Sequence, residues 1–198
     1  PDIWWHLKTG ELIWANRSVP TADPFSFTAL GQPWTTHEWL SEVVLYGVFA
    51  HFGIIGLILL MSVLLCAMMA GIYLLVRRQM EYGPVALGIT ALCGLAGWQL
   101  WSPRPQLFTY LLLAGLLFML MKPERKALWL AIPMFCLWSN LHGAWIAGYA
   151  VMVIVLADAS IAALRDRRPA EAGRMALIGL LSLAAVLIGP SPFERLVY

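Results

Sequence analysis

The sequence has little charge. Only 12% of its residues are Asp, Glu, Lys or Arg, about half the share of a typical soluble domain, while 61% are hydrophobic. Too few polar residues remain to clothe a soluble globule, so a polytopic membrane protein is expected. The formal net charge of +2 lacks the basic excess of a nucleic-acid surface, and no nucleic-acid partner is expected. Cysteine is scarce as well. Cys66, Cys93 and Cys136 all fall inside apolar runs, where they behave as small hydrophobes rather than disulfide or zinc partners. No His spacing of the HExxH type occurs, which speaks against a metal site built from the histidines. Internal repeats and low-complexity segments are also missing. No signal or transit peptide is visible, but the chain opens at Pro1 and reads as a piece of something longer, with at least one helix expected upstream.

What is present divides unevenly along the chain. Residues 1–53 hold Asp2, His6, Lys8, Asp23, His37, Glu38 and Glu42 interleaved with Trp4, Trp5, Trp14, Trp34 and Trp39. Residues 54–198 are largely Leu, Ala, Ile, Val and Gly. The fold class that follows is all-α: an outer loop with interfacial helices, then one continuous transmembrane helix bundle. About six spans are expected, near Ile54–Val76, Pro84–Trp101, Pro105–Met121, Ala127–Ser139, Trp145–Leu164 and Gly173–Ile188, because a hydrocarbon core needs about 20 helical residues.

Positive charge alternates from one connection to the next. Arg77, Arg78, Lys122, Arg125, Lys126, Arg165, Arg167, Arg168 and Arg174 occupy one set of connections, whereas the other set holds only Lys8, Arg17, Arg104 and Arg195. Positively charged residues concentrate in cytoplasmic loops, so the richer set is expected inside. The opening loop, Ser102–Arg104, Asn140–Gly143 and the segment from Gly189 onward are then expected to share the outer face. Trp98, Trp101, Trp138 and Trp145 fall at the outer ends of their runs, as an interfacial belt requires.

Within the opening loop, Trp4 or Trp5, Leu7 or Lys8, Leu12 and Trp14 recur at helical spacing, with Gly10 the weak position. Pro20, Asp23-Pro24 and Gly31-Gln32-Pro33 then punctuate a compact loop. A second helix opens at His37-Glu38, with Thr35 or Thr36 available as its N-cap, and Gly53 turns the chain into the first span.

Several side chains admit both a chemical and a structural role. Asp2 can bind a divalent cation or act as a general base, or it can cap the helix that follows. His6 with Lys8, and the pair His37-Glu38, can supply acid–base chemistry or grip a phosphate, though snorkelling explains Lys8 equally well. Arg104, fixed between two prolines, and His142 stand at membrane level, where ionisable groups are functional by default; a lipid headgroup contact is the plainer role for Arg104. Trp5 and Trp39 can stack on sugar rings or anchor the loop to lipid.

The run DIWWHLKTGELI, followed by SVPTADPFSF and PWTTHEWLSE, resembles the first outer loop of membrane glycosyltransferases with the C-type fold. The oligosaccharyltransferase catalytic subunit, with its Asp-Pro-Trp-Trp or Asp-Pro-Trp-Phe run, and the protein mannosyltransferases are similar there. This sequence departs by placing Ile3 between Asp2 and Trp4 and by lacking the sequon-reading motif. The resemblance covers about a quarter of the chain. It implies a donor sugar on a polyprenyl phosphate or pyrophosphate, an acceptor it does not name, and a setting in the bacterial inner membrane with the loop on the periplasmic side. Carried over, it makes Asp2 the catalytic or metal-binding acid, with Mg or Mn as possible ion, and leaves Asp23, His37 and Glu38 as secondary acids and bases. A transporter or flippase, or a non-catalytic scaffold, is the alternative. The near absence of charge from the spans counts against a transporter.

Overall fold

The computed structural model describes residues 2–98, 101–121 and 126–193. Among these it is all-helical, with seven α-helices and no strand beyond one isolated bridge between Ala22 and Pro33. Helix α1 spans Ile3–Asn16, α2 Trp39–Gln79, α3 Gly83–Ala96, α4 Gln106–Met121, α5 Ala131–Leu141 after a 3₁₀ turn at Ala127–Leu130, α6 Trp145–Arg165 and α7 Pro169–Val186.

Among the described residues three helices, α2, α6 and α7, are long and apolar enough to cross a membrane, not the six expected. Helix α3 is shorter than the apolar run that contains it. It stops at Ala96, with Gly97 at the C-cap, so a run that looks continuous to Trp101 yields only 14 helical residues, about 21 Å at 1.5 Å per residue. Helix α4 (16 residues) and the Ala127–Leu141 segment are likewise shorter than α7, which at 18 residues is the shortest of the three. Helix α7 starts earlier than read, because Pro169 at its first turn lacks only an N–H that would be unpaired there anyway.

Helix α2 bends once. Gly53 takes φ 60° and ψ −155°, a conformation open to glycine and costly to residues with a Cβ, so the helix turns between an opening arm and the apolar run beyond it. Past the bend, Ile54, Ile55, Ile58, Leu59 and Val63 are all exposed, a continuous apolar surface suited to lipid rather than water. The free cysteines follow the same logic: Cys66 and Cys93 are exposed on apolar helices and Cys136 is half-buried.

The core lies between α4, α5, α6 and α7. Leu116, Phe135, Trp138, Met152, Ile178 and Val186 pack there, with the Phe135 and Trp138 rings stacked at 5.6 Å. A second cluster, Ile3, Leu7, Leu45 and Leu57, seats α1 on α2. This corrects the expected face of α1. Its buried positions are Ile3, Leu7, Thr9, Gly10 and Ile13, while Trp4, Trp5 and Trp14 stay exposed. Gly10 is the crossing point rather than the weak position, since a Cβ there would overlap the Glu42 carbonyl oxygen and come within 2.7 Å of Tyr46 Cβ.

The connections sort by bundle end. Arg78, near the end of α2, lies over the Phe118 ring near the end of α4 at 3.4 Å. Arg168 at the α6–α7 turn pairs with Asp166 and Glu171. That turn is about 30 Å along α6 from Trp145. Lys122, Arg125 and Arg195, also counted in the charge pattern, lie outside the described residues.

Candidate functional site

At the opposite end, four separate stretches of sequence converge. Asp2 sits at the N-cap position of α1 but makes no side-chain cap bond; its carboxylate pairs instead with Arg104 Nη2. Capping therefore fails as the account of Asp2. The Ser102–Pro105 connection presents Arg104 to it from the bundle, and both partners remain partly exposed at 39% and 48%.

Beside this pair, Glu38 is the hub of a His–carboxylate cluster. It stands at the N-cap of α2 without capping it, and neither Thr35 nor Thr36 does so either; Thr36 Oγ1 donates to the Pro20 carbonyl. Glu38 Oε1 lies 3.2 Å from His142 Nε2 and 3.7 Å from His37 Nε2, and its Oε2 lies 3.8 Å from His6 Nδ1. His6 Nδ1 in turn lies 3.2 Å from Glu42 Oε1, while Glu42 Oε2, buried, has no partner among the described residues.

Burial dominates the electrostatics. Glu38 is pushed up to about 7, first by burial and further by the neighbouring Glu42 and Asp2 carboxylates, against a lowering pull from His6. His142 is pushed down to about 4, first by burial and then by His37 and His6. At neutral pH the short His142–Glu38 contact therefore joins a neutral imidazole to the carboxyl rather than an imidazolium. Glu38 is left poised to give or take a proton.

A cavity of about 120 Å³ opens onto this cluster, lined by Trp5, His6, Trp34, Thr35, His37, Glu38 and Glu42 among others. Its aromatic wall is a packed triad: Trp5 to Phe25 at 4.7 Å, Phe25 to Trp34 at 5.8 Å and Trp5 to Trp34 at 6.2 Å. Asp23 builds that wall rather than joining the cluster. Its Oδ1 accepts the N–H groups of Phe25 and Ser26 at 2.8 and 3.0 Å, and the Ser26 side chain first, then these two backbone bonds, hold its carboxyl below the usual range. A larger groove of about 410 Å³ runs between α1 and α2, lined by Trp4, Leu7, Lys8, Tyr46 and Phe49. Lys8 there pairs with Glu11 at 2.7 Å, on the surface.

Trp39 is committed to structure. Its indole N–H donates to Asn140 Oδ1 at 2.7 Å, and Ser41 Oγ donates to the Leu141 carbonyl at 2.8 Å, so the start of α2 is pinned to the end of α5. Asn140 Nδ2 continues the tie to the Ile188 carbonyl at 2.9 Å.

The structure thus brings together Asp2, His6, His37, Glu38, Arg104 and His142, with Trp5 at the cavity wall. Asp23, Lys8 and Trp39 stand outside the cluster. Glu42 was missed as a site residue, although its spacing of four from Glu38 puts both carboxylates on one helix face. The Asp2 carboxylate faces a guanidinium, and among the described residues no group of three His, Cys, Asp or Glu side chains is placed to hold a metal ion.

Against known proteins, no family model, no curated protein and no solved structure matches this chain.

Proposed function

We propose that this chain carries the donor-side site of a membrane glycosyltransferase, which moves a sugar from a polyprenyl-phosphate donor to an acceptor at the outer face of a bacterial inner membrane. The observation that carries the reading is the meeting of an Asp2–Arg104 pair with a buried Glu38 near neutral pKa, next to an aromatic-walled cavity. Phosphate recognition, proton transfer and sugar stacking are the three things such a reaction needs.

In the reaction so read, the bond between the sugar C1 and the donor phosphate oxygen breaks, and the electron pair leaves on the phosphate. Arg104 neutralises that charge as it develops. The acceptor hydroxyl forms the new bond to C1 and gives its proton to the Glu38 carboxylate, whose raised pKa suits a base that must be regenerated near pH 7. Asp2 holds Arg104 at the mouth of the site and releases it to the phosphate. No step is routed through a metal ion.

The proposal includes membrane crossing by all six helices that follow the loop, the three shorter ones meeting a locally thinned bilayer. The Arg-rich connections are then cytoplasmic. The test is sugar transfer from a radiolabelled polyprenyl-phosphate donor by the intact protein in membranes. Loss of transfer in Asp2→Asn and Arg104→Ala, with protein levels unchanged, supports the reading; undiminished transfer in both removes it.

A further inference from the structure

We infer that Thr109 and Trp138, inside the helix bundle, are positioning residues that fix the tautomer of His142 and through it the polar N–H it presents to the Glu38 carboxyl. The role rests on the proposed function only in what Glu38 then does.

Neither residue touches the opening loop in sequence. Thr109 lies on α4 and is 6% exposed; Trp138 lies on α5 and is fully buried. The Trp138 Nε1–H has one role available to it, that of donor, and it donates to Thr109 Oγ1 at 2.8 Å. Thr109 Oγ1 lies 2.8 Å from His142 Nδ1, and the Ala144 backbone N–H points at the same nitrogen at 3.3 Å. A backbone amide only donates, so Nδ1 is an acceptor and carries no proton. The Thr109 hydroxyl is therefore the second donor to it, while its own lone pair takes the indole N–H.

The consequence appears at the other side of the ring. A neutral imidazole with a bare Nδ1 carries its proton on Nε2, and Nε2 is 3.2 Å from Glu38 Oε1. The donors run one way, from the Trp138 indole through the Thr109 hydroxyl to His142 Nδ1, and leave the ring's Nε2–H on the side of the Glu38 oxygen. The opposite tautomer would set two donors against each other at Nδ1 and present a lone pair to Glu38. The groups that face this arrangement are His6, His37, Glu42, Asp2 and Arg104.

This separates two kinds of contact between bundle and loop. Trp39–Asn140 and Ser41–Leu141 dock α2 mechanically. Thr109 acts on the proton.

The experiment is ¹⁵N NMR of histidine-labelled intact protein in lipid nanodiscs at neutral pH, for wild type, Thr109→Ser and Thr109→Val. Wild type and Thr109→Ser should show His142 with a pyridine-type Nδ1 and a protonated Nε2. Thr109→Val, which keeps the shape and removes the hydroxyl, should give a mixture of tautomers. The acid constant of Glu38, followed by its carboxyl infrared band, should fall about fivefold in Thr109→Val, the equivalent of one ordinary hydrogen bond. A wild-type His142 protonated at Nδ1, or a Thr109→Val spectrum identical to wild type, overturns the inference. If Thr109→Val does not fold, Trp138→Phe and the wild-type tautomer itself still decide it. These readouts stand whether or not sugar transfer is found, so failure of the functional proposal is seen separately.

Discussion

Glu38 is where the energetic compromise of the site is concentrated. Its pKa is raised to about 7 from 4.5, so the folded state holds a proton that the unfolded chain gives up. That contribution to stability is fully present below about pH 4.5 and is lost as pH rises through 7. His142, lowered to about 4 from 6.5, runs the other way: its contribution is present above 6.5 and is lost as pH falls toward 4. The two slopes oppose each other between about 4.5 and 6.5, and the cluster's stability should be flat there and fall on both sides. Glu38→Gln mimics the protonated acid. It should raise the thermal midpoint in detergent at pH 9, by an amount on the order of 2 kcal/mol, and leave it near wild type at pH 5. An equal effect at both pH values would mean that Glu38 is not the group held neutral by burial. Arg104→Ala should behave differently, because its partner Asp2 is about half exposed and surface pairs contribute roughly 0–1 kcal/mol. Its midpoint should barely move while donor-dependent transfer falls roughly 100-fold.

The elements explain which of these residues the sequence could reveal. Gly53 announced its own break, since a glycine ahead of an apolar run is a local signal. Asp2, Arg104 and His142 were legible as members of one face because charge alternation places loops on sides. Glu42 and Thr109 were not. Their partners are 36 and 33 positions away, and nothing local in the sequence says which turn of one helix meets which turn of another. The tryptophans misled for the same reason. Helical spacing marked Trp4 and Trp14 as an apolar face, but α1 can approach α2 closely only over Gly10, and that contact rotates the bulky rings outward. Gly10→Ala tests the crossing: it should separate α1 from α2, lower stability by about 1–3 kcal/mol and disturb the His6–Glu42 bond. Gly115→Ala on α4, where a Cβ meets nothing within 4 Å, should be neutral or stabilising. Matching losses from both would show that close approach at Gly10 is not what holds α1.

At the scale of the whole molecule, the helices serve as a frame that carries one end's chemistry. The long apolar helices expose faces fit for lipid, and the connection between α3 and α4 carries Arg104 to Asp2. A single cysteine placed beside Arg168 and another at Ala22 should label from opposite sides of sealed vesicles, the second from outside. Labelling from the same side would dissolve the frame. Glu38, held in this frame, is the proposed proton acceptor in sugar transfer, and the pH dependence of kcat/KM tests that role most directly. With a polyprenyl-phosphate sugar as donor, the wild-type protein should show a limb near pH 7, set by Glu38. Glu38→Gln should lose that limb and fall roughly 100- to 10,000-fold in rate. Transfer at the wild-type rate with the same limb in Glu38→Gln would contradict the account.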